Sequence, residues 1–162
     1  KLTSLVSDTL KTNIANYLSN YRMLNDYVVV GAARVIDLAF SIDLILEKNA
    51  NEGEIVTNVI TKVSDYFAVD KLELGEDLAL GSLRAFIMNQ PGVLNITDIF
   101  VFNKVGGNYS QAVTTQPYVN ATTKQIGLID DTIYAQPNEI LQIRFPNQDI
   151  AVRYKKPSKP VL

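Results

Sequence analysis

The side chains with the most chemistry to offer in this sequence are carboxylates. Asp37, Asp43 and Glu47 share one face of the alternating stretch Arg34 to Lys48 (RVIDLAFSIDLILEK), and acids recur at Glu73, Glu76 and Asp77 and at Asp130 and Asp131. Converging carboxylates would make a cation site. In an extended chain each residue advances ~3.3 Å, which sets Asp37 roughly 20 Å from Asp43 and Asp43 about 13 Å from Glu47. Ligands of one ion sit within ~2.6 Å of it, so these three do not share a metal. They are read as a solvated or partner-facing strand face. The other acid clusters lack the alternating ligand spacing and the glycine of a calcium loop, and are placed on turns.

Other chemistries are thinner still. The chain has no cysteine and no histidine. The commonest ligands of zinc, haem and iron–sulfur clusters are therefore missing, as are a disulfide framework and any nucleophilic pair built on Cys or His. Gly81-Ser82 is not part of a G-x-S-x-G elbow, and Ser82 is read as the cap of a short helix. Neither a Walker loop nor a GxGxxG occurs, and Gly106-Gly107-Asn108 is a turn. The three sequons, at Asn95, Asn108 and Asn120, are short motifs that arise by chance in an Asn- and Thr-rich chain. No catalytic residue, metal or cofactor is expected. An enzyme would need a carboxylate pair brought together from separate elements.

The elements that position these residues follow from periodicity. In Arg34–Lys48 the even positions, Ile36 to Leu46, are all apolar and the odd ones mostly polar, the period of a strand with one packed face. Burying those six side chains contributes on the order of 10 kcal/mol gross, enough to make a sheet around this strand the nucleus of the fold. Leu2, Val6, Leu10, Ile14, Leu18 and Tyr21 recur at steps of three and four and predict a helix over 4–23. Its stripe is expected to pack on the sheet, with a helix shared with another subunit as the alternative. Tyr27 to Val30 reads as a short extended run. Asn51 and Glu54 have capping-box spacing ahead of a second amphipathic helix, Ile55 to Phe67. A third helix follows Gly81-Ser82 and stops at Gln90-Pro91-Gly92. Val93 to Asn103 is a strand, apolar on both faces in its second half and so central or doubly covered. Residues 104–136 are rich in Gly, Asn, Gln, Ser and Thr, and are expected to hold short strands or an ordered partner surface. Leu141 to Phe145 and Ile150 to Tyr154 alternate about a Pro-Asn-Gln-Asp turn, which predicts a hairpin over 139–155. Residues 156–162 are an extended basic tail.

The resulting expectation is one domain of α+β class: two layers, a small mixed or antiparallel sheet, helices on one face and a carboxy-terminal β-hairpin. Its core spans 4–103. With 162 residues, 47% hydrophobic, 20% charged and a net charge of −2, the composition is that of a soluble globular domain. It lacks the basic field that nucleic acid requires, and the tail lysines have no interleaved aromatics. No window reaches the ~18 apolar residues of a membrane span. The sequence opens KLTSLVSDTLK, without an initiator Met or a long apolar run, so the expectation is a carboxy-terminal piece of a larger protein with no visible secretory signal.

From Leu74 through Val93 (LGEDLALGSLRAFIMNQPGV) the chain resembles the carboxy-terminal module of baseplate J-like proteins of contractile-tailed phages. The matching points are Leu74-Gly75, Ser82 opening a short helix, and Pro91-Gly92-Val93 leading into a strand. The preceding order is similar too: helix, alternating strand, and an amphipathic helix ending in Tyr66-Phe67. The resemblance covers roughly residues 5–103. Gly31-Ala32-Ala33 stands where many relatives place a proline, and Lys104 to Leu162 extends beyond the shared pattern. The resemblance implies a structural role in the virion: a wedge component of the inner baseplate ring, assembled in the bacterial host cytoplasm. Its partners would be copies of itself, as a homodimer or ring, and other baseplate wedge proteins. Tyr109, Tyr118 and Tyr134, spaced through the long polar segment, are the candidate partner-interface residues. The alternative is a glycan-binding module that uses the same tyrosines.

Overall fold

The computed structural model describes residues 6–23, 26–68 and 73–157. The architecture is α+β. Its centre is β1 (Arg34–Leu46), the alternating stretch, with all six even side chains buried. Two helices cover that face. α2 (Glu52–Tyr66) contributes Ile55, Val59 and Val63, and α3 (Leu80–Met88) contributes Leu80, Leu83 and Ile87, to a single core with Ile36 through Leu46. Phe67, just past α2, sets its ring 5.4 Å from that of Phe40. The β-branched residues of α2 are mediocre helix formers, so this packing holds the helix.

The starts of both helices differ from expectation. Asn51 occupies the N-cap of α2, yet its side chain caps no amide and instead donates to Glu54 Oε2 at 3.4 Å. α3 starts earlier, after Ala79, so Ser82 lies inside it and caps nothing. The Leu80 N–H donates to the Asp131 carbonyl at 2.9 Å, which leaves a side-chain cap less to do. α3 stops as predicted at Pro91-Gly92. Gly92 has φ +85°, a left-handed conformation that favours glycine, and a Cβ there would fall 2.6 Å from Ile55 Cδ1, so the end of that side chain would have to move.

β3 (Val93–Lys104) runs antiparallel beside β1 with bulges at Asp43/Leu44 and Ile45/Leu46. It is the outer strand of the main sheet rather than a central one. Only its second half gains a neighbour, where Ile126 and Asn103 N–H groups bond to the Val101 and Lys124 carbonyls. The small strands β2 (Leu78–Ala79) and β4 (Thr132–Ile133) form a separate antiparallel pair, so the long polar segment does contain a short strand. Asp130 and Asp131 make the left-handed turn before β4, with φ of 52° and 54°.

The predicted hairpin does not form. β5 (Glu139–Gln142) pairs in parallel with Arg34–Asp37, and β6 (Ile150–Lys155) pairs in parallel with Phe40–Ile45, along the same edge of β1. The register slips by five residues between Asp37↔Gln142 and Phe40↔Ile150, and the surplus is looped out through α4 (Pro146–Asp149). The Pro-Asn-Gln-Asp segment therefore interrupts one strand position instead of reversing the chain. Asp149 is buried and accepts from the Phe145 N–H at 2.8 Å, which closes the loop on itself. Beyond β6, Lys156 pairs with Glu52 at 2.8 Å. That ammonium, with the Tyr154 hydroxyl, holds the Glu52 carboxyl below its ordinary pKa. The remainder of the predicted tail, 158–162, lies outside the described residues.

α1 (Asp8–Ser19) is shorter than the predicted 4–23, of which 4 and 5 lie outside the described residues. It buries none of its residues, so its stripe does not pack on the sheet. Tyr27 and Val29, expected in an extended run, are exposed and belong to no strand.

Candidate assembly surfaces

The odd face of β1 shows where the carboxylates go. Asp37 is fully buried rather than solvated. Its Oδ2 accepts the Ser110 N–H at 2.6 Å and its Oδ1 accepts Gln142 Nε2 at 2.7 Å. Arg144 Nη1 lies 3.8 Å away. Next to it, buried Asn103 donates to the Asp37 carbonyl at 3.2 Å and accepts the Thr114 N–H at 2.8 Å. Buried Glu139 faces Arg34 Nη1 at 3.0 Å and accepts the Gln136 N–H at 3.0 Å. Arg34 also donates to the Val113 carbonyl at 2.9 Å. Together these groups suspend the first part of the long polar segment over the sheet. Backbone amides that would otherwise lack strand partners are satisfied by side chains.

Asp43 is half-buried and makes two bonds to Arg153, at 2.7 and 3.2 Å, while Glu47 is exposed. The three carboxylates of this face thus have three separate fates. Among the described residues, no three or more acidic side chains gather within reach of one ion.

The tyrosines divide as well. Tyr109 is half-buried, donates its hydroxyl to Asp149 Oδ1 at 2.7 Å, and sets its ring edge-on to Phe145 at 5.5 Å. Burial first, then the bond to and the charge of Asp149, push its hydroxyl up to about 12. It belongs to the loop-anchoring network. Tyr118 and Tyr134 are exposed. Tyr118 stands on a small ribbon whose strands meet at Val119 and Ile126, with Asn120 and Lys124 at its tip. Gly127 permits it: a Cβ there would meet Tyr118 Cβ at 2.7 Å. Tyr118, Asn120 and Gln125 line a shallow groove of about 450 Å3. The structure does not bring the three tyrosines into one site.

The surface that the residue patterns did not single out as a site is α1. Leu10, Ile14, Tyr17 and Leu18, with Tyr21 just beyond the helix end, are all exposed, Tyr17 at 63% and Tyr21 at 72%. Steps of four and three between Leu10, Ile14 and Tyr17 are the spacing of a helix–helix seam. The stripe is visible in the sequence, where core packing is the first reading and a helix shared with another subunit the alternative.

No protein-family model matches the chain, and no curated protein matches it. Among the described residues no helix is long and apolar enough to cross a membrane.

Proposed function

We propose that this chain is a structural assembly module that associates with copies of itself through α1. The uncovered stripe of α1 carries the reading. A helix of 12 residues with nothing buried is marginal in water, where isolated helices need about 12–15 residues even with good formers. Closing a Leu10–Ile14–Tyr17 seam against the same seam of a second copy supplies the missing burial and obeys two-fold symmetry. The resemblance of Leu74–Val93 to baseplate J-like proteins, among them the wedge protein of T4-like phages, suggests a setting: neighbouring wedges joined in a baseplate ring, with other wedge proteins as further partners. Sedimentation velocity on two double variants tests the assignment of the surface. Leu10→Gln with Ile14→Gln is expected to abolish association, and Tyr118→Ala with Tyr134→Ala to leave it nearly intact. The reverse pattern would move the interface to the polar segment.

One observation favours a second reading. The groove beside Tyr118 offers an exposed ring flanked by Asn120 and Gln125, the mix that stacks on and hydrogen-bonds to a sugar. Titration with oligosaccharides, followed by tyrosine fluorescence, gives a saturable change if this module binds glycans and none if it does not.

A further inference from the structure

A pocket of about 250 Å3 opens where the end of α2 meets α3 and the turn before β2. Tyr66, Phe67 and Phe86 line it, the Tyr66 ring lying 5.5 Å from that of Phe67 and 5.9 Å from that of Phe86. Glu73, Glu76 and Asp77 also line it, and all three are exposed. The rim is fixed by two backbone bonds. Asp77 accepts the Ala135 N–H at 2.8 Å, and Glu76 accepts the Glu73 N–H at 3.3 Å. No described lining residue is cationic.

The combination selects a ligand class. Aromatic faces attract a cation, and carboxylates at the mouth add charge. Apolar walls reward an aliphatic stem as well as a charged head, which a hydrated inorganic ion lacks. Anions are repelled. The volume lies below the ~300–1,000 Å3 of pockets for drug-sized molecules and suits a single side chain. Burial, and then the negative field of Glu76, raise the Tyr66 hydroxyl above its ordinary value.

We infer that this pocket receives a lysine or arginine side chain presented by a partner protein. It is a second contact, chemically unlike the apolar seam of α1 and independent of it. A partner held here is gripped by charge and rings together, and its binding weakens with salt.

Three blocked peptides test this against the full chain: acetyl-Gly-Arg-Gly-amide, acetyl-Gly-Lys-Gly-amide and the uncharged isostere acetyl-Gly-norleucine-Gly-amide. The readout is the NMR ring resonances of Tyr66 and Phe86. Both cationic peptides are expected to give saturable shifts, with norleucine at least about fivefold weaker. Glu76→Gln is expected to weaken them about threefold to fivefold while leaving the unfolding midpoint unchanged. Phe86→Leu, which keeps the rim and removes a ring, is expected to weaken them similarly. Equal binding of the norleucine peptide overturns the inference, as does indifference to both substitutions. Tighter binding of choline than of either peptide overturns it in favour of a small ammonium compound.

Discussion

The odd face of β1 and the exposed side of α1 are opposites in composition and in fate. Asp37 lies at zero exposure, with the polar groups of Asn103, Glu139 and Gln142 buried beside it under a polar loop. Leu10, Ile14 and Tyr17 form an apolar pattern, and they lie open. Hydrophobic periodicity states which residues share a face. It does not state what covers that face. Asp37 is covered from within because Ser110, in the polar segment, and Gln142, in β5, bring donors to it, and α1 is left open because no part of the described chain reaches over it.

The sharpest way to break this contrast is at Asp37. Asp37→Ala leaves the Ser110 amide, Gln142 and Arg144 facing an empty buried position, and is expected to destabilise the fold by about 3–5 kcal/mol in urea unfolding. A loss under about 1 kcal/mol, the range of a surface change, would mean that the loop holds without its anchor. Tyr109→Phe probes the other end of the same network and is expected to cost about 2 kcal/mol, for one bond to a buried carboxylate.

Tyr109 also predicts a pH signature. Its hydroxyl is raised from 10.0 to about 12 in the fold, so the native state holds this proton more tightly than the unfolded chain. The stability it contributes is complete below pH ~10 and is lost as pH rises through about 12. Alkaline unfolding should therefore fall less steeply in Tyr109→Phe than in the parent protein. Identical slopes would detach Tyr109 from the network.

On the open side the expected stability changes are small. At concentrations where the parent is also monomeric, Leu10→Gln with Ile14→Gln should change stability by no more than the ~0.5 kcal/mol usual for exposed positions, since Gln is a good helix former; where the parent associates, the variant should stay monomeric and lose the stabilisation that association adds. A similarly small effect belongs to Arg153→Ala. Its two bonds to Asp43 are exposed, and their loss should cost at most about 1 kcal/mol and less in high salt.

How far the fold was legible follows from the same physics. The strand at Arg34, α2, α3 and the stop at Gly92 were readable because period and turn chemistry are local. The hairpin was misread because alternation in Leu141–Phe145 and Ile150–Tyr154 fixes two strands but not their partners. Both strands found β1 in parallel, and the turn between them became a looped-out helical turn closed by Asp149. The burial of Asp37 was hidden because its donors, Ser110 and Gln142, lie 73 and 105 residues further along the chain, the first in a segment without periodicity and the second in a strand whose partner alternation does not fix. Tyr109 carried no sign in its neighbours that it, and not Tyr118 or Tyr134, would turn inward to Asp149. The α1 stripe was visible as a stripe, and its exposure was not.

Self-association through α1 is the central claim, and the mass of the purified chain in solution, measured by light scattering across a concentration series, tests it most directly. A dimer or larger species that grows with concentration is predicted, and it should disappear in the Leu10→Gln, Ile14→Gln variant. A strict monomer at every concentration would contradict the account.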